Sequence, residues 1–367
     1  MTGRIVLFGV TGYTGGLVLD ALLHRGAKPI LAGRNGDVLG SLAERSGGLE
    51  YALANAMDTA SVAKLLGRGD VLISTVGPFE RFGHAVACAA ADSGAHYIDS
   101  TGELGFVFDL RKQLDDRARE SGAVMLPAFG YDYVPGVLAG ALAAGEGGDA
   151  VRSIDVGYFA TGSMLRGLSQ GTRTTVRDGL TVPVYRWRNH HLVEQRVGSA
   201  VQSFPVRGRR KSAFLVSGTE VLDLPAVFPG LHTVSVYNGL FPALSYPAAA
   251  MSAGAAVSAR IPLGRKLIDV ATRPLIGAAG GPDAAERERT RSHVVAIARD
   301  GAGVTAAEVH LEGPSVYSLT AALMAWAAQQ LATGAGRSAG VVGPIDAFGL
   351  DALRDGCNEI GLSRVGL

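Results

Sequence analysis

The residues best suited to chemistry near the N-terminus are glycines. The apolar run Ile5-Val6-Leu7-Phe8 leads directly into Gly9-Val10-Thr11-Gly12-Tyr13-Thr14-Gly15. A glycine at the first position permits a tight turn, at the second a close backbone approach to an anion, and at the third close packing of the following helix on the strand. The N–H groups of a helix start have no intrahelical partner and carry partial positive charge, so Gly9, Thr11, Gly12, Tyr13, Thr14 and Gly15 are expected to cradle a pyrophosphate. The spacing is G-x-x-G-x-x-G rather than G-x-G-x-x-G. Its weight comes from context, with a strand before it and a helix after it at the start of a βαβ unit.

The next strand indicates which dinucleotide. NAD-binding domains place Asp or Glu there, ~20 residues past the glycines, to hold the ribose 2′-OH. Here the segment reads Leu31-Ala32-Gly33-Arg34-Asn35, without a carboxylate. Gly33 leaves room, and the Arg34 guanidinium, with Asn35 beside it, can grip a 2′-phosphate through charge-assisted bonds. The expected cofactor is therefore NADP(H). Asp58 has two readings, an adenine contact or a helix N-cap. Ligands of open α/β sheets sit at the carboxyl ends of strands, so Thr75, Val76, Gly77, Pro78 and Phe79 are expected beside the ribose and nicotinamide.

Hydride transfer also requires a managed proton. Candidates gather in Gly130-Tyr131-Asp132-Tyr133-Val134-Pro135, expected at the hinge between two domains. Asp132 could hold an amine or iminium, or cap the helix that Pro135 helps to open. Tyr131 and Tyr133 could donate a proton or simply pack. Glu103 could touch ribose or substrate, or serve as a helix-start carboxylate. His84 reads as a surface helix residue. The helix start at Ser169-Gln170-Gly171-Thr172 could face a carboxylate or thioester oxygen or be a plain cap, and Arg166, Arg173 and Arg177 are possible anchors. The dense basic run Arg207-Gly208-Arg209-Arg210-Lys211 is a solvated loop or a dock for an acidic carrier.

These residues need elements to hold them. Apolar runs predict strands over 5–8, 29–32, 71–76, 96–99 and 123–126. Helical spacing predicts helices over 14–25, 83–93 and 109–121, the last two closed by Gly94 and Gly122, and another after Asp58. Repeated strand–helix–strand units imply an α/β, Rossmann-type doubly wound parallel sheet over residues 1–133. After Gly130 the pattern changes to a helix over 134–144, a turn over 145–149, and strands over 154–160, 233–237, 293–299 and 304–311. That is a second α+β domain over 134–314, expected to supply substrate contacts and a dimer interface. A last Ala/Leu-rich helix over 315–331 opens a segment, 315–367, expected to pack back on the first domain.

Composition sets the outer bounds. A chain of 367 residues is long for one core, which favours two domains. A net charge of +1 gives no field toward nucleic acid. Cys88 and Cys357 lie far apart without metal-ligand spacing, which fits reduced thiols, no metal and a cytoplasmic setting. The N-terminus does not read as a signal peptide. The Ala/Gly/Ser-rich stretch 247–262 is shorter than the ~20 apolar residues needed to span a bilayer, so it reads as a packed helix or a peripheral membrane contact. Apolar residues over 240–250 suggest a homodimer.

The combination of Gly-Val-Thr-Gly-Tyr-Thr-Gly (9–15), Ala-Gly-Arg-Asn (32–35), Thr-Val-Gly-Pro-Phe (75–79), His-Tyr-Ile-Asp-Ser-Thr-Gly-Glu (96–103) and Gly-Tyr-Asp-Tyr-Val-Pro (130–135) resembles the saccharopine dehydrogenase-like oxidoreductases. Asp132 matches the aspartate of that family's Gly-Leu-Asp-Pro-Gly segment. Later segments, Ser169–Thr172, Gly281-Pro282 with Ala284-Ala285-Glu286-Arg287, and Tyr317-Ser318-Leu319-Thr320-Ala321, resemble the actinobacterial trans-acting enoyl reductase branch. The resemblance implies NADPH-dependent reduction of a C=C or C=N bond on a small-molecule or carrier-linked metabolite. A non-catalytic NADP-binding scaffold or redox sensor is the alternative.

Overall fold

The strands expected from the apolar runs line up side by side in a computed structural model that describes residues 2–161, 182–258 and 280–366. Ser169–Thr172, Arg166, Arg173, Arg177 and the end of the 247–262 stretch lie outside the described residues. The chain divides into two compact units, Met1–Val134 with Tyr317–Ile360, and Pro135–Val316 with Gly361–Leu367.

The first unit is built on strands β1 Ile5–Phe8, β2 Ile30–Gly33, β3 Tyr51–Leu53, β4 Val71–Ser74, β5 His96–Asp99 and β6 Val124–Leu126. With β15 Gly340–Val341 they form a seven-stranded sheet in the order β15-β6-β5-β4-β1-β2-β3, parallel throughout. All residues of β1 and β4 are buried, as a parallel sheet covered on both faces requires. The strand order reverses between β1 and β4, and the crevice above that switch point is where such sheets bind ligands. The doubly wound α/β fold is thus as expected.

The first-unit helices are α1 Tyr13–His24, α2 Gly36–Arg45, α3 Thr59–Ala63, α4 Phe79–Ser93 and α5 Leu104–Ser121. Gly94 and Gly122 close α4 and α5 in the left-handed region, at φ +66° and +78°. Both helices begin earlier than local spacing predicts, at 79 and 104 rather than 83 and 109. Helix α2 and strand β3 escape the sequence reading. Only Leu39 and Ala43 of α2 are buried, and β3 is a mostly exposed edge strand, so neither carries a strong apolar pattern. The C-terminal segment adds β15 and the helix Val316–Ala332, whose Trp326 stacks near Phe129 (6.5 Å between centroids) and meets Phe348 edge-on (4.9 Å). Residues 363–364 depart from the expected packing, because β16 Ser363–Arg364 pairs with β14 of the second unit.

The second unit opens with α6 Val134–Gly147, which runs through most of the expected 145–149 turn before a short 3-10 turn over Gly148–Ala150. Its strands are β7 Val151–Thr161, β8 Val184–Arg188, β9 His191–Gln195, β10 Val201–Val206, β11 Arg209–Val216, β12 Thr233–Asn238, β13 Arg291–Asp300 and β14 Thr305–Gly313. The main path is β10-β11-β12-β7-β13-β14-β16, with β8 bridging β12 and β9. Only β12 and β7 pair in parallel; the other pairs are antiparallel. Phe159, Phe204, Leu215, Tyr237 and Val295 form a core on one face. The β8–β9 hairpin turns on Asn189 and His190, both at positive φ, without the glycine that marks such turns in sequence. No helix among the described residues is long and apolar enough to cross a membrane.

Candidate functional site

The glycine loop has the geometry its residue types imply. Gly9 sits at φ +89°, and its N–H donates to the Ala32 carbonyl at 3.0 Å. A Cβ on Gly9 would lie 2.7 Å from Val76 and 2.8 Å from the Thr75 hydroxyl. That hydroxyl is within reach of the Phe8 and Gly9 carbonyls, at 3.2 and 3.1 Å, so the end of β4 is tied to the loop. A Cβ on Gly15 would meet the Gly9 carbonyl oxygen at 2.3 Å, so α1 packs this close only because Gly15 has no side chain. Tyr13 packs edge-on against Tyr317, with ring centroids 5.2 Å apart.

The start of α1 has the chemistry that suits an anion. Gly12 offers no side-chain cap, and the first turn holds no acid. The amides of Thr14 and Gly15 take no acceptor among the hydrogen bonds of the described residues. The starts of α2, α3 and α4 are occupied by side chains. The Asn35 side chain accepts from the Val38 amide at 3.2 Å at the start of α2. Asp58 accepts from the Ala60 and Ser61 amides at 3.0 and 3.2 Å at the start of α3. Glu103 accepts from the Phe79 and Glu80 amides at 3.2 and 2.8 Å at the start of α4. At α5 the Thr101 hydroxyl takes the Glu103 amide at 3.0 Å. That amide belongs to the residue before the helix, and the α5 cap makes no side-chain bond; α1 is the uncapped start that lies behind the glycine loop.

Arg34 follows the end of β2, one strand over from the loop; Phe8 and Ala32 are register partners. It is exposed and makes no ion pair with the described residues. At Gly33 a Cβ would find only ordinary contact with Leu39, at 3.6 Å. No protein atom therefore forbids a side chain there.

The loop after β4 divides its residues. Gly77 and Pro78, joined by a cis peptide bond, are exposed, and Thr75 and Val76 are half-buried. Phe79 is buried against Phe106 with ring centroids 5.9 Å apart. With its ring in the core and its amide held by Glu103, Phe79 presents no polar group to a ligand. His84 packs on Phe106 (4.9 Å between centroids) and lies 3.8 Å from Asp109, on the helix as expected.

The proton-handling candidates separate in the same way. Tyr131 is buried, its amide donates to the Thr320 hydroxyl at 3.1 Å, and burial pushes its phenol well above the ordinary range. Tyr133 is also buried, and its hydroxyl donates to the Gly102 carbonyl at 3.0 Å. Asp132 is the exposed member of the three. Crowding by surrounding protein still displaces enough water to push its carboxyl up to about 6. Thr320, 189 positions from Tyr131, carries no local sequence signal of this support. Neither does Asp99, which reads in sequence as the polar end of a strand. Asp99 is fully buried, and one of its oxygens accepts from the Thr101 and Ala128 amides at 2.8 and 2.9 Å.

In the second unit the basic run is partly neutralised. Arg207 pairs with Glu312, with one contact at 3.0 Å. Arg210 folds back on the Ser203 hydroxyl and carbonyl at 3.1 and 3.0 Å. Lys211 is half-buried, and burial together with Arg207 and Arg209 holds its ammonium below the usual range. Among the described residues no group of three or more His, Cys, Asp or Glu is placed to hold a metal ion.

Residues 5–126 match the family described as the saccharopine dehydrogenase NADP binding domain, in agreement with the resemblance read from the motifs. The first unit is thus an NADP-binding domain. The chain is 34% identical over 137 residues to a trans-acting enoyl reductase of Mycobacterium tuberculosis, a match covering 36% of this chain and 33% of that protein. It is 27% identical over 143 residues to a lipid droplet localized protein of Caenorhabditis elegans, covering 36% and 34%. The chain thus matches about a third of the length of these relatives. Apo saccharopine dehydrogenase (L-Glu forming) from Saccharomyces cerevisiae aligns over 100% of both chains with a TM-score of 0.61 at 14% identity, a likeness of fold.

Proposed function

We propose that this chain, whose first unit is an NADP-binding domain of the saccharopine dehydrogenase kind, is an NADPH-dependent oxidoreductase that reduces a conjugated C=C or a C=N bond of a small-molecule or carrier-linked metabolite. The observation that carries the reading is the open start of α1 behind the glycine loop, with an exposed guanidinium, Arg34, that has no ionic partner among the described residues, at the end of the neighbouring strand. When bound, the nicotinamide nucleotide supplies the hydride. Main-chain amides of Thr14 and Gly15 bind its pyrophosphate, and Arg34 binds its 2′-phosphate. Asp132 handles the proton: it is reachable by solvent, and a carboxyl near 6 exchanges protons readily near neutral pH. Tyr131 and Tyr133 fix the loop around it. Glu103 fixes the first turn of α4.

The relatives named trans-acting enoyl reductase favour an enoyl acceptor. The test is loss of NADPH absorbance against a panel of enoyl thioesters and cyclic imines. Turnover with one class assigns the bond reduced. Tight NADPH binding without turnover on any member would overturn the enzymatic reading in favour of a scaffold or redox sensor. The reading extends to a cytoplasmic homodimer. Cys88 and Cys357 are both free thiols, and Tyr246, in the apolar 240–250 stretch, is 67% exposed, a ring suited to cover by a second copy.

A further inference from the structure

Asp99 stands at the carboxyl end of β5, level with Ser74 on β4. Tyr97 precedes it by two residues and so faces the same side of the sheet. All three are completely buried. The Tyr97 hydroxyl interacts with the Ser74 hydroxyl and the Asp99 carboxylate, although among the described residues neither hydroxyl nor the second Asp99 oxygen makes a hydrogen bond of regular geometry. A carboxylate in such a place costs stability unless it performs a task. Its other oxygen performs one, by holding the Thr101 amide at 2.8 Å and the Ala128 amide at 2.9 Å. The Asp99 carbonyl adds a third bond, from the Phe129 amide at 2.7 Å. Thr101 belongs to the loop after β5, and Ala128 and Phe129 to the loop after β6. The Ala128 backbone is at φ +58°, a conformation that needs outside support in a non-glycine residue.

The rest of the network extends from these two loops. The Ala128 carbonyl accepts from the Tyr133 amide at 3.1 Å, and the Tyr133 hydroxyl returns to the Gly102 carbonyl of the first loop at 3.0 Å. Glu103, at the end of that loop, caps α4, which follows the loop after β4. The loops after β4, β5 and β6 are therefore joined, and Asp99 is the residue beneath them that touches two directly. The glycine loop touches this network through Thr75, whose hydroxyl lies 3.1 Å from the Gly9 carbonyl, whereas Arg34 makes no hydrogen bond to it among the described residues.

We infer that Asp99 is a positioning residue that sets the nicotinamide-side loops in one arrangement while leaving the adenosine side untouched. The inference rests on the NADP(H) reading above. The test is a pair of titrations on the full chain, with NADPH and with adenosine 2′,5′-bisphosphate, which carries only the adenosine half. Asp99→Ala removes the acceptor of two buried amides. It is expected to raise the dissociation constant for NADPH about tenfold and to leave that for the bisphosphate within about twofold. Asp99→Asn keeps an oxygen for both amides and is expected to restore NADPH binding to within about twofold of wild type. Should Asp99→Ala not fold, Tyr133→Phe cuts the link between the loops directly and is expected to show the same split. Equal weakening of both ligands, or no change in NADPH binding, would overturn the inference. If the unaltered protein binds neither ligand, the cofactor reading fails, and this inference with it; if it binds both and no variant splits them, only the positioning role fails.

Discussion

Gly15 and Gly9 approach so closely that a Cβ on Gly15 would lie 2.3 Å from the Gly9 carbonyl oxygen. The next residue, Gly16, has nothing within 4 Å of its Cβ position. Two adjacent glycines on one helix should therefore answer differently to alanine. Gly15→Ala is expected to cost about 1–3 kcal/mol by overpacking and to abolish NADPH binding. Gly16→Ala is expected to be neutral or to stabilise by up to about 1 kcal/mol through helix propensity. Denaturant melts and NADPH titrations of the two variants check both.

Glu103 is a cap in this structure. Removing its carboxylate in Glu103→Ala leaves the Phe79 and Glu80 amides without their acceptor and is expected to cost about 1–2 kcal/mol. Glu103→Gln keeps one carbonyl acceptor and is expected to lose about half as much. Thermal melts read the difference. If Glu103→Gln were fully stable yet inactive, Glu103 would have to be assigned to proton transfer instead.

Burial pushes the Asp99 carboxyl up to about 6, above its ordinary 3.8. A raised carboxyl favours the folded state at low pH, where native Asp99 keeps its proton. That contribution is lost as pH rises from about 4 through about 6, up to about 3 kcal/mol in all. Asp99→Asn has no such dependence. Its stability relative to wild type is therefore expected to improve between pH 4 and 7.5, as measured by urea melts across that range. A constant difference would contradict a buried, titrating Asp99.

Asp132 is likewise raised to about 6, and it is exposed. Once a substrate is found, the pH profile of kcat should carry a limb near that value. Asp132→Asn is expected to remove the limb and to lower kcat by about a hundredfold or more, with NADPH binding unchanged. A retained limb would move the role elsewhere.

Much of the cofactor end was legible in the sequence because its chemistry is local. The glycines, the strand before them and Arg34 fall within 30 residues of one another, and each states its constraint through residue type. The supports were not legible, because they act over long separations. Glu103 caps a helix 24 positions upstream, which is also why α4 begins four residues earlier than its own spacing suggests. Thr320 reaches Tyr131 across 189 positions. Asn35 reads in sequence toward the cofactor and Asp58 as either an adenine contact or a cap; in the structure both have side-chain oxygens on helix amides, the cap reading for Asp58. In the second unit β8 and β9 are only partly buried, so their alternation is weak, whereas the buried β7 and β13 were read correctly apart from their ends.

The most direct measurement is a calorimetric titration of the purified chain with NADPH and with NADH, repeated for Arg34→Ala. The expected result is binding of both nucleotides, with NADPH tighter by tenfold or more, equivalent to about 1.4 kcal/mol. In Arg34→Ala that preference should collapse while Tm is unchanged, since Arg34 is exposed and without an ionic partner among the described residues. No binding of either nucleotide, or equal affinity for the two in the unaltered protein, would contradict a site built from the open start of α1 and the guanidinium of Arg34.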